Sequence, residues 1–104
     1  MNTVVVPYAV EVDEKGFGRV QVPVLFSNGV TDYRAEFVIN SAGDMAILSK
    51  GVRYPVVGIK AAGDEQAIVK STSGGGRMMM WFDLRAWSVI RPFVIARRQA
   101  AAAE

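Results

Sequence analysis

Cations and aromatic rings are the residues of this chain whose types and spacing could do chemistry. Lys15, Phe17 and Arg19 stand together ahead of an apolar run, and Tyr33 and Arg34 follow an Asn28-Gly29 pair. Lys70 and Arg77 flank the glycine-rich tract STSGGG (71–76), and Trp81 and Arg85 follow within one alternating run. Eight of the twelve cations are arginine, which grips phosphate with a planar fork and also stacks on bases. Single-stranded nucleic acid is held by cations along its backbone and rings under its bases, each stacked base contributing roughly 1–3 kcal/mol. These nine residues form the candidate binding set, for single-stranded DNA or RNA, with no catalysis. The plainer reading makes Phe17, Tyr33 and Trp81 core or interface rings and leaves the arginines to solvate the surface.

Other stretches carry less. STSGGGR lacks the Lys-Ser/Thr pair and the following helix of a phosphate-binding loop, so it reads as a hairpin tip. Asp13, Glu14, Asp64 and Glu65 are neighbouring turn carboxylates, which are ordinarily solvated. The chain has no cysteine and no histidine. That excludes disulfides, thiolate chemistry, Cys/His zinc sites and triads with a histidine base. No cofactor and no metal are expected. FVINSAGDMAILS (37–49) resembles the Asp-Thr/Ser-Gly-Ala loop of retroviral-type aspartic proteases, with Asn40 where the catalytic aspartate would stand and Asp44 out of register. An amide cannot activate water as a general base, so this resemblance implies an inactive domain. Met79, Trp81 and Trp87 offer a further possibility, a protein–protein interface, where Met and Trp are enriched.

The elements that must position these residues are strands. The chain of 104 residues is 51% hydrophobic, enough for one domain and not a disordered chain. Its charge of +2 and pI near 9.2 give a mild basic bias, compatible with a polyanionic partner. No apolar run approaches the ~20 residues of a membrane helix. The N-terminal apolar run has no basic flank and reads as strand, not signal peptide, so the cytoplasm is the expected compartment, that of a host if the protein is viral. Strands are expected over Thr3–Val12, in two arms of a hairpin from Gly16 to Asn40 turned at Ser27-Asn28-Gly29, and over Arg53–Ile59, Gln66–Thr72, Arg77–Arg85 and Ser88–Ala96, the last kinked or at an edge because of Pro92. In the first arm Val20, Val22, Val24 and Phe26 share one face, and Arg19, Gln21 and Pro23 the other. SAGDMAILSKG (41–51) is expected as an irregular crossover or one helical turn capped by Ser41. Residues 1–96 would form an all-β domain, a small OB-like Greek-key barrel with protruding hairpins, and 97–104 a frayed or flexible tail.

The order of these features resembles the single-stranded-DNA-binding proteins of filamentous bacteriophages. The likeness spans roughly residues 14–92: a basic hairpin, the strand AEFVIN, an apolar loop, the strand entry GVRYPV, a glycine-containing hairpin and the closing WFDLRAWSVIRP. It implies an OB-type barrel that coats single strands as a homodimer during DNA replication, without catalysis. Residue by residue, it implies DNA contacts from Lys15, Phe17 and Arg19, stacking by Phe17 or Tyr33, a cation at Arg85, and a dimer loop in the hairpin of Lys70 and Arg77. Val38 stands where that family carries a lysine.

Overall fold

The computed structural model describes residues 8–61, 66–73 and 76–103. The strands are β1 (Glu11–Val12), β2 (Gly18–Gln21), β3 (Val24–Phe26), β4 (Thr31–Asp32), β5 (Glu36–Ile39), β6 (Met45–Ser49), β7 (Val52–Ala61), β8 (Gln66–Ser73) and β9 (Gly76–Asp83), followed by one helix, α1 (Leu84–Ala103). They form a single antiparallel sheet in the order β1-β2-β5-β6-β7-β8-β9-β3-β4. The all-β expectation thus holds for the sheet, with a terminal helix added to it.

The expected alternation of the first arm is present: Val20, Val22, Val24 and Phe26 are buried, while Arg19, Gln21, Pro23 and Leu25 are exposed. The arm is nevertheless divided. Pro23 has no N–H for a ladder, and it separates β2, which pairs with β5, from β3, which pairs with β9 and β4. β2 and β3 are two residues apart in the chain but lie near opposite ends of the strand order. The sheet must therefore curl until its outer rows approach one another. Its end strands β1 and β4 do not pair, so it stays open. From β5 to β9 every strand pairs with its chain neighbour, a meander in place of the expected Greek-key order.

Tight turns explain why the chain folds back so often. In the β1–β2, β3–β4 and β5–β6 connections one geometry recurs, with a glycine at positive φ closing each turn (Gly16, Gly29, Gly43). Each makes a 3.0 or 2.9 Å bond from the glycine N–H to the carbonyl three residues back. This is the three-residue hairpin loop with a left-handed closing residue. β6 and β7 are joined by Lys50-Gly51, both at positive φ, the two-residue turn whose twist matches the strands. The 41–51 stretch is therefore a turn and a strand; Ser41 caps no helix, because Met45, Ala46 and Ile47 are all drawn into the core.

The inner face of the curled sheet and α1 share one core. Phe37 and Phe82 meet at 5.6 Å between centroids, and Ile39, Ile47, Val69 and Met80 surround them. Ala86, Ile90 and Val94, four residues apart on α1, are fully or nearly buried in the same cluster. The strand expected over Ser88–Ala96 is thus corrected to helix. Asp83 starts it, its Oδ1 accepting the Arg85 N–H at 2.8 Å, an N-cap bond. Pro92 lies inside α1, where it forfeits one helical hydrogen bond, but its ring faces solvent and the buried stripe passes it by. The expected boundary after Ala96 falls within α1. Arg97 lies over the Phe93 ring at 4.7 Å, and Arg98 Nε donates to the Gly43 carbonyl at 3.2 Å. Of the strand expected over Thr3–Val12, residues 3–7 lie outside the described residues, as do Asp64, Glu65 and the glycine tip at 74–75. No helix among the described residues is long and apolar enough to cross a membrane.

One polar pair fastens the short edge strand. Asp32, 9% exposed at the end of β4, accepts the Ser49 hydroxyl at 2.5 Å and the Arg34 N–H at 2.9 Å. The Ser49 bond first, and the Arg34 N–H next, hold its carboxyl below its usual value of 3.8. A depressed carboxylate contributes stability above the unfolded-state value, and that contribution is lost as pH falls through the folded one. Ser49→Ala is expected to lower the denaturant midpoint most at neutral pH, the gap from the parent closing below pH 3.8. Denaturation series at several pH values check this; a gap independent of pH would contradict it.

Candidate functional site

The curl of the sheet places a groove along the outer side of the bent β2–β3 arm. Tyr8 and Pro23 border both of its halves. One half, about 620 Å³, is lined by Glu11, Arg19, Gln21, Tyr33 and Glu36 among others. The other, about 440 Å³, is lined by Leu25, Thr31, Trp81, Phe82, Asp83 and Arg85 besides the shared pair. Outward residues at period two supply it: Arg19, Gln21, Pro23 and Leu25 from one arm, Trp81 and Asp83 from β9. In the ladder Leu25 sits opposite Trp81, Trp81 opposite Ile68, and Ile68 opposite Lys60, which makes one cross-strand row. Met79 lies opposite Lys70 on the same face, one pleat on.

Of the nine sequence-predicted residues, Arg19, Tyr33, Trp81 and Arg85 meet in this groove. Lys70 and Arg77 stand exposed on the outer face of β8 and β9 beyond Trp81. Lys15 and Phe17 line a separate depression at the β1–β2 turn, together with Val12, Asp13 and Glu14. Arg34 is exposed in the turn after β4, its N–H bound to Asp32. The set is therefore divided among several places. The rings do face outward: Tyr33 is 74% exposed and Phe17 41%.

The charges in the groove are mostly matched. Arg19 lies between Glu11 and Glu36, 3.7 Å from each. Arg85 forks onto Asp83 with contacts of 2.5, 2.9 and 3.1 Å. Three carboxylates thus face two guanidiniums among the groove residues. The Arg85 hydrogen bond is the main reason the Asp83 carboxyl is held below its usual range. Burial, helped by the Asp83 charge, raises the Tyr8 phenol. Tyr8, Leu25 and the three acids were missed from sequence. Leu25 was legible there, since the alternation that puts Pro23 outside puts Leu25 outside too. The acids were not, because their pairing with Arg19 and Arg85 depends on strand register and on the N-cap of α1.

Asn40 has a local task that its resemblance to a protease loop concealed. Its Oδ1 accepts the Ala42 and Asp44 N–H groups at 3.0 and 2.9 Å, and its amide donates to Asp44 at 3.3 Å. Asp13 Oδ1 does the same for Lys15 and Phe17 in the β1–β2 turn, both at 2.9 Å. An amide or a carboxylate therefore serves equally as the side-chain brace of such a turn. Asn40→Asp keeps the oxygen that braces the turn but loses the amide donor to Asp44, so it is expected to cost about 0.5–1.5 kcal/mol and to hydrolyse no unfolded casein. Cleavage by the variant, absent from the parent, would contradict this. Among the described residues no group of three or more acidic side chains is placed to hold a metal. No family model, no curated protein and no solved structure matches the chain.

Proposed function

We propose that the chain is a non-enzymatic binding module whose outer β3–β9 face takes an extended segment of a partner protein. The observation that carries this is the composition of the groove. Its two guanidiniums already have carboxylate partners, while Leu25, Trp81 and Met79 hold apolar surface toward solvent or at its margin. A polyanion would have to displace Glu11, Glu36 and Asp83 or meet their repulsion. A protein segment instead gains apolar burial against Trp81 and Leu25 at about 25 cal/mol per Å². Aromatic and Met side chains are enriched at protein interfaces, and here they lie between the paired Arg19 and Arg85 and the exposed Lys60, Lys70 and Arg77. The curled sheet acts as a rigid scaffold for that face.

A second reading, single-stranded DNA binding, is favoured by one observation: Tyr33 and Phe17 show their rings to solvent beside Arg34 and Lys15. The two readings separate in an anisotropy titration of labelled oligothymidylate. No binding at low salt is the expected outcome. Binding that falls steeply with salt, and weakens by roughly 1–3 kcal/mol in Tyr33→Ala, would replace the protein-segment reading.

A further inference from the structure

A second groove, about 400 Å³, lies on another side of the molecule between α1 and the β6–β7 strands. Its walls are Trp87, Val94 and Ile95 from α1 and Met45, Val56 and Ile59 from the sheet, with Val57 and Gly58 in β7. A bulge shapes its edge. The pairing of β7 with β8 slips between Val56 and Gly58, so Val57 has no partner in the ladder and projects outward, 55% exposed. Gly58 beside it lies opposite Lys70 in the ladder, so it borders the groove by its backbone alone.

Charge then selects the occupant. Among the residues lining this groove are two guanidiniums, Arg91 and Arg98, and no carboxylate. Arg98 is held at the rim by its Nε bond to the Gly43 carbonyl. No ion pair involves Arg91 or Arg98 among the described residues, in contrast to Arg19 and Arg85. Ile95, 43% exposed, lies one helical turn from Arg91 and completes an apolar floor under that positive rim.

We infer that this groove is a second docking site, for an acidic peptide segment of a partner protein that sets one large apolar side chain against Trp87, Ile59 and Ile95. Its carboxylates would lie against Arg91 and Arg98, where guanidinium–carboxylate pairing is charge-assisted and directional. The site is separate from the β3–β9 face, and neither depends on the other.

Panning a randomised peptide library on the intact chain tests it. Enriched peptides are expected to carry a Leu, Phe or Trp flanked by Asp or Glu. Arg91→Ala should weaken a synthetic peptide of that type by about tenfold or more. Ile95→Glu, an exposed helix substitution that leaves β7 untouched, should do the same by repulsion. Arg91→Glu, which leaves Arg98 beside one new carboxylate, should remove the enrichment for Asp and Glu. Three outcomes would overturn the proposal. One is no enrichment, another is acidic peptides indifferent to both Arg91→Ala and Ile95→Glu, and the third is binding of dodecyl phosphate with no peptide bound.

Discussion

Ile90→Ala is expected to cost about 2–5 kcal/mol, because the side chain is fully buried and its removal leaves a cavity between helix and sheet. Domains of this size hold a total of only about 5–15 kcal/mol, so the variant should be barely folded at 37 °C or unfolded. The prediction is specific to α1 being part of the core. Were residues 88–96 an edge strand with a loose tail, one methyl-rich residue there would count for far less. Ile95, on the same helix but exposed, is the control, and Ile95→Ala should stay within about 0.5 kcal/mol. Urea denaturation of both variants decides the matter. A loss below about 1 kcal/mol for Ile90→Ala would mean the helix does not close the core.

Gly43→Ala is the second large effect, and it arises from two causes that can be separated. Gly43 sits at φ +85, where an L side chain costs about 1–2 kcal/mol. A Cβ would also collide with Arg98 Cγ and lie 3.2 Å from the Arg98 backbone nitrogen and 3.3 Å from the Val94 carbonyl. The Arg98 side chain must swing aside and the α1 backbone give by a few tenths of an ångström, and overpacking of that kind costs about 1–3 kcal/mol more. Gly29 isolates the first cause. It has φ +91 in the same kind of turn, but nothing within 4 Å of a Cβ. Gly29→Ala should therefore lose only about 1–2 kcal/mol, and Gly43→Ala should lose clearly more. Equal losses would show that α1 does not press on the β5–β6 turn.

These two positions also mark where the sequence could and could not be read. The period-two pattern of Val20, Val22, Val24 and Phe26 set the buried face of the first arm correctly, since a strand has only two sides. The Asn28-Gly29 turn was legible for the same local reason. What escaped was decided by competition between periods. Ala86, Ile90 and Val94 recur every four residues, but Val89, Ile95 and Trp87 between them blur the helical stripe, and Pro92 argues against a helix on local grounds. Asp83 as an N-cap was the overlooked signal, for an aspartate just before an apolar run starts a helix as readily as it decorates a strand. At the outer face, alternation correctly turned Arg19 and Trp81 outward. The acidic partners of Arg19 and Arg85 come from other strands or from a helix cap, and spacing along one strand is blind to them. The division of the nine cationic and aromatic residues among several places has that same origin.

The protein-segment reading is tested most directly by a photo-reactive phenylalanine analogue placed at Met79, on the outer face beside Trp81, and at Lys50, in the exposed β6–β7 turn. Irradiation in the cells that naturally make the protein should join the Met79 derivative to one discrete protein partner. The Lys50 derivative should give none, and Trp81→Ala should abolish the adduct. Cross-linking of the Met79 derivative to nucleic acid, or equal protein adducts from both positions, would contradict the assignment of this face.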